Sequence, residues 1–141
     1  LEPAIDQISK DYPHIRRIWI HAINRTEHPE SESAAAAAQC AHEQGKFWEY
    51  RTQLFAKQDQ LSTALYNQIA QSLALSLPSF QSCLANAETL TTVRAHDQFA
   101  RRSNVQATPH ITVNNTPLSG DLTYAQIKTA IEQELIKTAT K

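Results

Sequence analysis

A chain of 141 residues, 41% hydrophobic and 19% charged, has room for one hydrophobic core; cut in two, neither half would bury enough surface. A formal net charge of −1 excludes bulk electrostatic attraction to nucleic acid or anionic membrane. Gly45 and Gly120 are the only glycines, so no glycine-rich phosphate cradle exists, and the longest apolar-looking run, residues 34–38, is too short to span a bilayer. Methionine is absent, the chain starts at Leu1, and no signal peptide is visible.

Leu1, Ile5, Ile8 and Tyr12 recur at helical spacing and predict a first helix, with Pro3 in its first turn. Tyr12-Pro13 ends it, because the residue before proline is pushed out of the helical region. Residues 16–23, rich in β-branched and aromatic side chains, predict a strand. Residues 24–33 read as a polar loop.

Helical periodicity then runs from 33 to about 103. An alanine-rich helix over 34–44 can be capped by Ser33, and Gly45 ends it where a left-handed backbone is needed. A second helix covers 46–57 with Phe47, Trp48, Leu54 and Phe55. Ser62 opens a third, carrying Leu65, Ile69 and Leu73. Pro78 opens a short fourth with Phe80, Cys83 and Leu84. A fifth covers 87–102, with Leu90, Val93, Asp97 and Ala100 along one side.

Residues 110–114 alternate as a strand, Asn115 and Thr116 turn the chain, and a short return strand starts at Pro117 and ends at Gly120. Residues 123–136 close the chain as a helix striped by Ile127, Ile131 and Leu135. Residues 1–141 read as a single domain.

Three stretches resemble the DsbA-like proteins of the thioredoxin-4 group. The first is residues 35–55, AAAAQCAHEQGKFWEYRTQLF. The second is Phe80-Gln-Ser-Cys-Leu84. The third is residues 100–120, ARRSNVQATPHITVNNTPLSG. Departures are Asn104 where glycine is usual, His110 after the Thr-Pro, and Asn115 in place of the glycine of an Asn-Gly turn. The resemblance implies an α/β thioredoxin-like fold with a DsbA-type all-helical insertion, with 33–103 forming the insertion and the helix after it. It also implies that the first β-strand and the start of the first helix, which carries Cys-x-x-Cys, lie upstream of Leu1. In that topology the absent strand would sit between residues 16–23 and 110–114. Its place would be taken by a separate fragment, by another protomer in a strand-sharing oligomer, by direct pairing of the two remaining strands, or by upstream residues.

By the same resemblance Thr108-Pro109 matches the cis-proline that faces the catalytic dithiol, and Thr108, Pro109 and His110 are the substrate-binding candidates. His110 is either close to the redox centre or a strand residue whose ring points away. Cys40 and Cys83 cannot imitate Cys-x-x-Cys; three readings stay open: buried free thiols, a structural disulfide, or one reactive thiol. The histidines lack compact ligand spacing, so no metal and no cofactor is expected. Phe47-Trp48-Glu49-Tyr50 reads as core packing, and the pairs Arg16-Arg17 and Arg101-Arg102 as solvated charge. Glu43 and Glu49 form no acid–base pair.

The expected function is a thiol–disulfide oxidoreductase domain acting on disulfides of exported proteins, without redox activity as the chain stands because Cys-x-x-Cys is absent. Its location would be periplasmic or otherwise extracytoplasmic. Its partners would be extended or unfolded polypeptides and a membrane redox protein of the DsbB or vitamin K epoxide reductase type, with no nucleic acid. The alternatives are a redox-inactive peptide- or partner-binding module and, less in keeping with the Glu-Gln-Gly-Lys-Phe-Trp stretch, a relative of the kappa glutathione transferases.

Overall fold

Pro3 has no N–H to donate, which costs nothing in a first helical turn, and α1 runs Glu2–Asp11 with this proline at its start. The computed structural model describes residues 1–118 and 122–139. Its contacts separate two units, Leu1–Trp19 with Val105–Lys141, and Ile20–Asn104.

In the first unit, α1 packs on the last helix, α7 (Tyr124–Ala139), and on the hairpin of β1 (Ile111–Val113) and β2 (Thr116–Leu118). Ile8, Ile127 and Ile131 are its buried centre, and Ile5, Tyr12, Ile111, Val113 and Leu118 close over them. The α1 stripe holds except at Leu1, which is 40% exposed. The α7 stripe stops at Ile131; Leu135, expected in the core, is 48% exposed. The hairpin meets α7 at the neighbouring Glu134, whose carboxylate accepts from Asn114 and Thr116, and leaves Leu135 uncovered.

The hairpin turns at Asn114-Asn115, one residue earlier than expected, with Asn114 at φ +53°. Asparagine is among the few residues that tolerate this left-handed region. The strands pair Ile111 with Leu118, Thr112 with Pro117 and Val113 with Thr116. The expected strand end at Gly120 lies outside the described residues.

The second unit is built round α2 (Ser31–Glu43), where Ala35–Ala38, Cys40 and Ala41 are buried. Side chains this small let neighbouring helices approach closely. Packed with it are α3 (Phe47–Ala56), α4 (Thr63–Ser72), α5 (Leu77–Ala85) and α6 (Ala87–Arg102), with a single 3₁₀ turn at Gln58–Gln60. Tyr50 and Phe80 are fully buried with ring centroids 5.6 Å apart, and the Tyr50 hydroxyl donates to the Tyr66 carbonyl at 3.0 Å. Ser62, Ser76 and Asn86 cap α4, α5 and α6 by accepting backbone N–H groups. Ser33 is not a cap: α2 starts earlier, at Ser31, and the Ser33 hydroxyl donates to the Glu30 carboxylate at 2.7 Å. Gly45 stands at φ +74° just past α2, where its N–H reaches the His42 carbonyl and that of Lys46 reaches the Ala41 carbonyl, closing the helix end.

Residues 16–23 form no strand among the described residues. β1 pairs with β2 instead, so the alternative of direct pairing between the two predicted strands is not what forms. β-Branched residues supply a propensity, but a strand exists only where a ladder receives its backbone groups. At Ile23 the N–H goes to Asp97 Oδ1 at 2.8 Å and the carbonyl accepts from Arg101 Nη2 at 3.2 Å. Side chains of α6 thus take the backbone groups a ladder would have used. Ile23 itself packs on Ala35, Ala36 and Val93, which is why the helical unit begins at Ile20 rather than at 33.

Candidate functional site

Within the first unit, Thr108, Pro109 and His110 lead directly into β1 and all three are exposed. The Thr108-Pro109 peptide is cis. The strand that follows has an edge whose character is set by register. A two-residue turn makes Val113 and Thr116 a hydrogen-bonded pair, so the next pair, Thr112 and Pro117, turns its backbone groups outward. On the β2 side the outward residue is Pro117, which has no N–H, and proline is placed on edge strands for this reason. On the β1 side Thr112 offers both a donor and an acceptor, and no third strand pairs with it among the described residues. The hairpin therefore has one blunted edge and one able to take an extended chain, and the latter adjoins Pro109 and His110.

Cys40 and Cys83 are joined as a disulfide that ties α2 to α5, with Cα atoms 5.7 Å apart. Of the three readings open at the sequence level, the structure contains the bridge. Cys40 is 1% and Cys83 8% exposed, so both sulfurs sit in the helical core. The Thr89 hydroxyl donates to the Cys83 carbonyl at 2.7 Å and lies 3.5 Å from its sulfur. These are the only cysteines in the sequence, so the chain has no free thiol. An open cleft beside the bridge is lined by Glu43, Pro78, Ser79, Ser82, Cys83 and Asn86.

The substrate candidates belong to one unit and the disulfide to the other, and each is described within its own unit. Among the described residues no three His, Cys, Asp or Glu side chains gather as a metal site. No helix among them is long and apolar enough to cross a membrane. Phe47 is buried and Trp48 half-buried, their rings 5.1 Å apart and edge-on.

Three arrangements were not legible as sites from sequence. Arg101, expected to be solvated, holds Asp97 at 3.0 Å and reaches the Ile23 carbonyl. Glu32 bridges Arg25 and Arg94, and hydrogen bonds from Arg25 first and Arg94 second lower its carboxyl to about 2. His21 is buried and stacked on His96, with centroids 5.4 Å apart. Burial first, and the neighbouring imidazole second, lower its pKa to about 4. Each set joins at least one pair of residues that lie far apart along the chain, and only the alternation of residues 19–23 hinted that His21 would point inward.

A family described as thioredoxin matches residues 4–133. Among curated proteins, the Na(+)/H(+) antiporter NhaA 3 of Salinispora tropica is 33% identical over 130 residues, which is 92% of this chain and 20% of that protein. The Na(+)/H(+) antiporter NhaA 1 of Salinispora arenicola is 32% identical over 130 residues, again 92% and 20%. One from Mycobacterium sp. (strain KMS) is 31% identical over 132 residues, 92% and 22%. The chain thus spans about a fifth of the length of these curated relatives. No solved structure matches it significantly.

Proposed function

Because the chain belongs to the thioredoxin family, we propose that it is a thiol–disulfide oxidoreductase-like module that holds an extended polypeptide at Thr108, Pro109 and His110. One observation carries this reading: Thr108, Pro109 and His110 are all exposed where the chain enters β1, so their backbone groups can pair with an extended chain. Main-chain hydrogen bonds of this kind recognise unfolded chains with little regard to sequence, which suits a catalyst of many substrates.

Disulfide exchange needs a thiolate that can reach the incoming disulfide. The 141 residues contain no Cys-x-x-Cys, and their two cysteines are bonded to each other. In the proposal the chain supplies the polypeptide-binding wall, and exchange uses a dithiol that residues 1–141 do not supply. The substrates are disulfides of exported proteins in an extracytoplasmic compartment, with a membrane redox protein of the DsbB or vitamin K epoxide reductase type as electron partner. The antiporter name describes relatives of which this chain matches about a fifth, so ion transport is left with those proteins.

The locking of both cysteines in a buried bridge favours a second reading, a redox-inactive module that binds polypeptide and does no exchange. An insulin-reduction assay on the whole protein, with polypeptide binding read alongside, separates the two. Turnover that persists in a Cys40→Ala/Cys83→Ala double variant supports the oxidoreductase. Polypeptide binding without turnover supports the second reading, and the absence of both contradicts each.

A further inference from the structure

We propose that the Cys40–Cys83 bridge is a thiol-exchange site entered at Cys83, which a small cationic thiol attacks from the cleft that Glu43 and α5 line. In disulfide exchange the incoming thiolate must reach one sulfur while the other leaves, so access selects the sulfur attacked. The two sulfurs differ in access. Cys40 is 1% exposed and belongs to the buried stripe of α2 with Ala37 and Ala41, each 0% exposed. Cys83 is 8% exposed and forms part of the wall of the open cleft, whose volume is about 470 Å³. Attack is therefore directed to Cys83, with Cys40 as the leaving sulfur. The bridge lies wholly in the helical unit, so this chemistry is independent of Thr108, Pro109 and His110.

Thr89 supplies a second, separate observation. Its hydroxyl spends its one hydrogen on the Cys83 carbonyl at 2.7 Å, and its oxygen lies 3.5 Å from Cys83 Sγ. A bridged sulfur has no hydrogen to place on that oxygen, whereas a freed Cys83 thiol can donate to it. Thr89 is 5% exposed, so bulk water competes little for the position. The site thus holds an acceptor that suits the reduced form of Cys83.

The wall of the cleft sets the class of thiol. Its one charged residue is Glu43, and Ser79, Ser82 and Asn86 add neutral polar groups, with no cationic side chain among the lining residues. A thiol bearing an ammonium group suits that wall better than one bearing a carboxylate. In the step, the thiolate sulfur bonds to Cys83 Sγ and the bond between the two cysteine sulfurs breaks. The electron pair leaves on Cys40 Sγ, which takes up a proton, because a charge among buried alanines is costly. The incoming thiol is oxidised to the mixed disulfide and Cys40 is reduced. Protonated, Cys40 is a poor nucleophile and re-forms the bridge slowly, so Cys83 stays capped and α2 is no longer tied to α5. A second thiol removes the cap as a symmetric disulfide and frees the Cys83 thiol beside Thr89.

The test incubates the full chain, folded and with its bridge intact, with excess cysteamine, followed by acid quenching and peptide mass analysis. The expected product carries cysteamine on Cys83 and a free thiol on Cys40. Its rate of formation should rise with urea less than half as steeply as global unfolding does. Cysteamine on Cys40, no adduct, or a steeper urea dependence overturns the proposal. With rates corrected for thiolate fraction and referred to an unstructured peptide disulfide, cysteamine should react severalfold faster than 3-mercaptopropionate at low salt. Glu43→Gln should remove most of that difference; equal rates in the unaltered chain, or a preference undiminished in Glu43→Gln, overturn the choice of a cationic thiol. Single-cysteine variants read the point of entry independently. The lone thiol of Cys40→Ala should be capped by cystamine about tenfold or more faster than that of Cys83→Ala, and equal or reversed rates overturn entry at Cys83. If either variant fails to fold, the position of the adduct on the unaltered chain decides.

Discussion

Cys40 and Cys83 stand 43 residues apart in sequence and are bonded to each other between α2 and α5, buried beneath the surface of the helical unit. The bridge closes a loop that contains α3 and α4 whole. Loop-closure entropy for this separation amounts to about 4 kcal/mol removed from the unfolded ensemble. Urea unfolding with and without reductant should show a fall in stability of up to that size, matched by Cys40→Ala/Cys83→Ala. Equal midpoints in the two conditions would mean the bridge does not hold the unit together.

Ala74 and Gly45 occupy equivalent positions past the ends of α4 and α2, at φ +56° and φ +74°. In both, the next residue's N–H returns to the helix, Leu75 to Ala70 and Lys46 to Ala41. Alanine bears a steric cost there that glycine does not. Ala74→Gly should therefore stabilise the chain by about 0.5–1 kcal/mol after the extra freedom of glycine in the unfolded state is discounted. Gly45→Ala should destabilise by about 1 kcal/mol, although its new Cβ would meet nothing within 4 Å. Opposite shifts in thermal midpoint check the pair.

Asp97→Ala leaves the buried Ile23 N–H without its 2.8 Å acceptor and should cost about 1–3 kcal/mol. Arg101→Ala removes a largely exposed side chain and should cost less, about 1 kcal/mol. Chemical denaturation of the two variants tests the order, and a larger loss at Arg101 would refute the account of the clamp.

Acid acts on the helical unit in two windows. The folded pKa of His21 lies below its unfolded value, so the unfolded state binds the extra proton and stability falls from about 6.5 to 4. The folded pKa of Glu32 is also depressed, from 4.5 to about 2, but this is a carboxylate. Its contribution is present above 4.5 and is lost as the pH falls toward 2. Stability measured against pH should lose its upper slope in His21→Phe and its lower slope in Glu32→Gln, each without the other.

How much of this could be read from residue order differs from place to place. The helices of the second unit were legible because their starts, ends and stripes are local: Ser62, Gly45 and the Val93–Asp97–Ala100 face each act within a few residues. Residues 16–23 misled because a strand depends on a partner that propensity cannot supply, and α6 took the Ile23 backbone instead. Leu135 misled because periodicity marks a face without saying which of its positions the opposing layer covers. At the candidate site, Thr108, Pro109 and His110 were picked out through resemblance. The open edge at Thr112 was not, because it follows from the pairing of Thr112 with Pro117, which becomes visible only once the turn is placed at Asn114-Asn115.

The central claim is that the chain accepts an extended polypeptide at Thr108, Pro109 and His110. Amide exchange of the chain, with and without a reduced and alkylated unfolded polypeptide, tests it most directly. The account predicts slowed exchange at Thr108 and His110 and no change at Leu118, whose backbone pairs inward with Ile111. Protection that appears on β2 alone, or no protection while the polypeptide is bound, would contradict it.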